Sequence, residues 1–263
     1  TTPEHIGAMI AKCKALPAGG SRELNLTAVS SYGKAVVFGE APLIIGERIN
    51  PTGKPRLKEA LQNADYDYIC RLGLEQINGG SHILDVNVGM PGIDEAAVLS
   101  KVVPALQGIT DTPLQIDTSN YEAMEQALRL YNGKPMLNSV NGKEESLERV
   151  LPLVKKYGAV VVALCLDDSG IPLDVAGRVA IAEKIIAKAA EYGIASHNIV
   201  VDPLALTIST GGDNAKVACE VISAMQARGI KTVMGVSNIS FGLPGRELIN
   251  STFFTLALQA GLS

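Results

Sequence analysis

Short carboxylates and amides recur along this chain, each at the end of an apolar, β-branched run. In order they are Glu47 and Asn50, Asp85 and Asn87, Asp117, Asn138, Asp167 and Asp168, Asp202, and Ser237 with Asn238. Carboxylates accept hydrogen bonds from amino and ring N–H groups, and amides both donate and accept. A surface that gathered these groups would suit a neutral ring rich in N–H donors. No Lys stands among the strand ends, so the same surface suits phosphate poorly. Carboxylates also take Mg²⁺ or Ca²⁺, but the amides interleave evenly with them here and no metal site is expected. Ordinary readings stand beside these. Asp85 and Asn87 alternate on one strand and can serve backbone groups in a second layer. Asp168-Ser169-Gly170 reads as a turn, and Asn138 or Asp202 alone would be turn residues. Gly211-Gly212 at a helix start is a weak phosphate cradle.

The elements that must position these residues follow a regular period. Strands are predicted over 43–45, 82–88, 114–117, 135–140, 160–166, 199–203 and 232–238. The helices between and after them fall over 57–77, 94–107, 120–131, 143–157, 174–192, 214–228 and 246–260. Nearly continuous apolar strands alternating with helices imply a parallel sheet covered on both faces. Seven such units predict an α/β TIM (β/α)₈ barrel one βα unit short, because closure would gather all the polar strand ends at one mouth. An open doubly wound sheet would spread them along a line. Ahead of the barrel come a short helix over 1–16, a break at Pro17-Ala18-Gly19-Gly20, and a hairpin of strands 26–29 and 35–38 that could close the barrel floor. The stretch from Val233 to Arg246 holds Ser237-Asn238 at a strand end, then a Gly/Pro turn into the last helix.

Composition narrows the function. A net charge of −4 without basic blocks makes nucleic acid and anionic membrane poor partners. No apolar run approaches a membrane span. Cys13, Cys70, Cys165 and Cys219 are scattered, with no C-x-x-C pair, and His5, His82 and His197 are not grouped. Buried reduced thiols and a cytoplasmic setting are the expectation.

The motifs Ile45-Gly46-Glu47-Arg48-Ile49-Asn50, Leu84-Asp85-Val86-Asn87-Val88-Gly89, Ile116-Asp117-Thr118, Leu137-Asn138-Ser139, Val201-Asp202-Pro203 and Gly235-Val236-Ser237-Asn238 together resemble the pterin-binding methyltransferase family. Within it the chain is most similar to the folate-binding barrels of cobalamin-dependent methionine synthases, which share Ser240-Phe241-Gly242-Leu243-Pro244 and Arg246. The resemblance implies three parts: residues 1–22 as the tail of a preceding homocysteine-binding domain and linker, 23–42 as a hairpin lead-in, and 43–263 as the folate barrel. It implies 5-methyltetrahydrofolate as substrate and cob(I)alamin, carried by a partner domain of the same polypeptide, as methyl acceptor. Zinc would lie only in a domain outside this chain. Asp117, Asn138 and Asp202 would hold the pterin's polar edge, and Glu47, Asn50 and Arg246 would complete the pocket. Gly235 and Ser237 would border the ring, with Asn238 as the catalytic residue near N5. Other readings are a folate-binding module without activity of its own, a stand-alone corrinoid-protein methyltransferase, and dihydropteroate synthase. The last carries a Ser-Arg-Lys segment where this chain has Ser237-Asn238-Ile239, with no cation to meet diphosphate.

Overall fold

The computed structural model describes residues 2–17, 24–39 and 41–263. Helix α1 (Pro3–Lys14) buries none of its residues. The break at Pro17-Ala18-Gly19-Gly20 lies, apart from Pro17, outside the described residues. Strands β1 (Ala28–Ser30) and β2 (Ala35–Val37) then form an antiparallel hairpin.

Seven parallel strands follow, hydrogen-bonded in chain order. They are β3 (Ile45–Ile49), β4 (Ile83–Val86), β5 (Leu114–Asp117), β6 (Met136–Asn141), β7 (Val160–Leu164), β8 (Ile199–Asp202) and β9 (Lys231–Thr232). Helices α2 (Pro55–Gln62) and α3 (Tyr66–Asn78) separate β3 from β4. Helices α4 (Glu95–Gln107), α5 (Tyr121–Leu130), α6 (Glu144–Tyr157), α7 (Val175–Glu191), α8 (Asn214–Gln226) and α9 (Arg246–Ala260) each follow one of the later strands. Several helices start where a short acceptor caps them. Asp94, Asn120 and Asp174 each accept from a backbone N–H two or three residues on.

Strand parity separates two cores, because alternate side chains point to opposite faces of a strand. Leu84, Val86, Ile116, Val161 and Val201 face outward into the layer of helices. Ile83, Met136, Val160, Val162 and Val200 face inward, where Val29, Val36 and Phe38 of the hairpin meet them. The hairpin thus fills the lower end of the barrel, as its position ahead of β3 predicts. The Ser30 N–H donates to the Lys134 carbonyl at 2.8 Å, and the Tyr131 hydroxyl donates to the Ser30 carbonyl at 2.9 Å. The curled parallel sheet with helices is the α/β architecture expected from the βα period. Strands β3 and β9 are its two ends and do not pair with each other among the described residues.

Three local expectations are corrected. The single helix over 57–77 is two helices, parted at Asn63-Ala64-Asp65. Ala64 takes a left-handed φ of 53°, and Asp65 caps the second helix by accepting from the Tyr68 N–H at 3.1 Å. The strand over 232–238 ends at Thr232, and Val236–Ser240 is a 3₁₀ turn. Of the cysteines, Cys165 is buried, Cys70 and Cys219 are partly buried, and Cys13 is exposed on α1.

Candidate functional site

The inward parity that carries apolar side chains low in the barrel carries polar ones at its upper end. On β4 Ile83 gives way to Asp85, on β6 Met136 to Asn138, and on β8 Val200 to Asp202; β5 contributes Gln115 and Asp117. Register sets them side by side: Asp85 pairs with Gln115, and Asp117 with Asn138. With Glu47 from β3 they line a cavity of about 350 Å³. Ile45 and Val162 also line it, and the segment Val233–Asn238 completes its wall. Gly235, Ser237 and Asn238 therefore do reach the site, although they arrive on a turn and not at a strand end.

Three predicted residues, Asn50, Arg246 and Asn87, do not line this cavity. Asn50 stands beside it and donates through Nδ2 to Glu47 Oε1 at 2.8 Å. Arg246 sits at the start of α9, where Nη2 donates to the Ser237 carbonyl at 2.9 Å and Nε to Ser240 Oγ at 3.0 Å. It clamps the 3₁₀ turn from outside. Asn87 also acts at one remove. Its Nδ2 donates to Asp117 Oδ2 at 2.9 Å while its Oδ1 accepts the Gly89 N–H at 2.9 Å, which fixes which way the amide points.

Asp85 bonds a neighbouring side chain and not the backbone groups expected of it. It is almost fully buried, lines the cavity, and accepts from Gln115 Nε2. Its Oδ2 and the Oε1 of Gln115 are buried without a hydrogen-bond partner. Gln115 is a site residue that an amide in mid-strand does not announce, although its parity with Asp117 would have found it. Asp167 and Asp168 lie in the tight turn Asp167–Gly170, with Asp167 Oδ1 accepting the Ser169 N–H at 2.8 Å, and neither lines the cavity.

Burial governs the acids. Asp85 is held well above the ordinary carboxylate range, first by burial and then by the neighbouring charge of Asp117, against the Gln115 hydrogen bond. Asp117 is raised by burial and by Glu47 and Glu95, with the Asn87 amide opposing. Asp202 is pushed up to about 6 by burial, opposed by the Leu204 N–H that it accepts and by the charge of Arg178. The cavity is thus acceptor-rich, short of donors and without any Lys, Arg or His in its lining. Among the described residues no cluster of His, Cys, Asp and Glu has the geometry to hold a metal ion. No helix among them is long and apolar enough to cross a membrane.

The pterin binding enzyme family matches residues 46–263, which include all seven parallel strands apart from Ile45 of β3. The chain belongs to the pterin-binding family. Its relatives by sequence include methionine synthases and a methylcorrinoid:tetrahydrofolate methyltransferase. It is 32% identical to a methionine synthase of Mycobacterium leprae, with all of this chain and 24% of that protein aligned. It is 30% identical to a methylcorrinoid:tetrahydrofolate methyltransferase of Eubacterium limosum, with 84% of this chain and 82% of that protein aligned. The chain spans about a quarter of the length of the methionine synthases it matches. In fold this pterin-binding chain is similar to dihydropteroate synthases. One from Xanthomonas albilineans superposes with a TM-score of 0.70 over 90% of each chain at 20% identity, and one from Coxiella burnetii with 0.68 over 90% of each at 18%. At such identity the likeness is one of architecture.

Proposed function

We propose that this chain binds 5-methyltetrahydrofolate and passes its N5-methyl group to cob(I)alamin on a partner domain, the folate half-reaction of methionine synthesis. The observation that carries this reading is the inward row Asp117, Asn138 and Asp202, acceptors at the upper end of a barrel whose cavity lining holds no cation. A pterin edge presents amino and ring N–H donors, which two carboxylates and an amide can meet. A diphosphate leaving group would find no cation in that lining, which favours this reading over dihydropteroate synthesis.

Asp117, oriented by Asn87, and Asp202, oriented by the Leu204 N–H, grip the ring. Glu47 on β3 and Asn50 just after it support it as a hydrogen-bonded pair, and Gly235 and Ser237 border its open side. When bound, the corrinoid supplies the electron pair that takes the methyl group. The N5–CH₃ bond breaks with its electrons left on N5, so N5 must be hydrogen-bonded or protonated as the methyl departs. Asn238 is exposed at the cavity rim and free of the strand ladder. Its amide can accept from a protonated N5 or donate to the lone pair, which no fixed carboxylate does. A Cβ at Gly235 would lie 3.1 Å from Asn238 Nδ2, so the glycine leaves that amide room to turn.

The Eubacterium limosum relative, matched over most of its length, favours a second reading in which the corrinoid resides on a separate protein. The mass of the intact natural polypeptide separates the two. The central test is titration of the chain with 5-methyltetrahydrofolate followed by single-turnover transfer to added cob(I)alamin. Binding with transfer is expected. Binding without transfer would leave a folate-binding module, and no binding would overturn the reading.

A further inference from the structure

Arg178 is the largest fully buried side chain among the described residues, and it stands in the first turn of α7. A cation there opposes the helix dipole, and a buried charge is costly unless hydrogen bonds compensate it, so helix stability does not explain it. Its bonds all go to two loops at the mouth. Nε donates to the Pro172 carbonyl after β7 at 2.8 Å. Nη1 donates to the carbonyls of Pro203 and Leu204 after β8, each at 2.8 Å. Nη2 has no partner. Close packing keeps the fork in reach, since a Cβ on Gly177 would come within 2.7 Å of Pro172.

The clamped turn is the one that aims Asp202. Leu204 takes a left-handed φ of 61°, a conformation that a branched side chain adopts only where its surroundings impose it. In that conformation its N–H donates to Asp202 Oδ1 at 2.8 Å. We propose that Arg178 is a positioning residue for ligand recognition: it ties the carbonyls of Pro203 and Leu204 so that the turn holds the Asp202 carboxylate toward the cavity. This rests on the folate reading above, and it assigns Asp202 a partner that never touches the ligand.

The test is a double-mutant cycle on the purified chain with 5-methyltetrahydrofolate as titrant, using Arg178→Met, Asp202→Asn and the double variant. Circular dichroism and thermal melts check that each is folded. Arg178→Met is expected to weaken binding roughly tenfold in the parent and less than twofold beside Asp202→Asn, because groups acting through one contact are not additive. Arg178→Lys keeps the charge but not the planar fork, so it is expected to fall between the parent and Arg178→Met. If Arg178→Met does not fold, the same cycle is run with Arg178→Lys. Equal losses in both backgrounds, or unchanged affinity of a folded Arg178 variant, would overturn the proposal. Absence of binding by the parent protein would instead count against the folate reading.

Discussion

Asp117, Asn138 and Asp202 come from strands paired on both sides, whereas Ser237 and Asn238 come from a 3₁₀ turn beyond a strand of two residues. The first group is set by ladder register and held further by Asn87 and the Leu204 N–H. The second is exposed and is held mainly by the turn's own backbone and by Arg246. A pocket built this way has a fixed half that can recognise a ring and a looser half that can follow a change at one atom. Affinity and chemistry are therefore expected to separate by side. An interaction made mainly in the transition state affects rate when removed and leaves ground-state binding less changed.

The largest expected effect is on the looser side. Asn238→Ala should slow single-turnover methyl transfer at saturating folate by about 10²–10³, the cost seen when one transition-state donor is removed, with a smaller change in affinity. Equal losses in both would make Asn238 a binding residue. On the fixed side, Asp202→Asn should weaken 5-methyltetrahydrofolate binding by about ten- to a hundred-fold, since a charge-assisted bond contributes about 1.5–3 kcal/mol. An unchanged titration would leave Asp202 a turn residue.

Acidity offers a third lever. Burial pushes Asp202 up to about 6 and raises both Asp85 and Asp117, so the acceptors gain protons as pH falls. Folate affinity should be flat above about pH 7 and decline below about 6, and a pH-independent titration would sever it from the carboxylates. The sign for stability is opposite. With Asp202 held above its unfolded value near 3.9, the folded ligand-free state binds protons more tightly, so its stability should fall as pH rises from about 4 to about 6. Thermal melts without ligand across that window check it. The smallest effect is expected at Asn87→Ala, which frees Asp117 to rotate without removing its charge. Because Asn87 acts only through Asp117, the binding loss should be roughly two- to fivefold, about 0.4–1 kcal/mol, and a loss as large as that of Asp202→Asn would place Asn87 itself on the ligand.

The same contrast explains what the sequence discloses. Strand parity and apolar runs make β4 to β8 legible, together with the residues that end them, because each strand is buried on both faces. The run Thr232–Val236 has the same β-branched look, yet β9 has only one neighbour and stops after Thr232. The chain there turns instead toward the loop after β8, where the Ile208 N–H donates to the Ile239 carbonyl at 3.0 Å and Thr207 Oγ1 to the Phe241 carbonyl at 2.8 Å. Such contacts are set by tertiary structure and leave no periodic trace. The split between α2 and α3 was readable, since Asp65 is an ordinary N-cap residue. Arg178 was not, because an arginine in a first helical turn looks like a solvent-facing residue until two loops fold over it.

The most direct test of this division is to measure equilibrium affinity for 5-methyltetrahydrofolate and single-turnover transfer to cob(I)alamin in Asp202→Asn and Asn238→Ala side by side. A crossing is expected: Asp202→Asn loses chiefly affinity and transfers at near the parent rate once saturated, while Asn238→Ala binds well and transfers slowly. Parallel losses in the two variants, in either quantity, would contradict it.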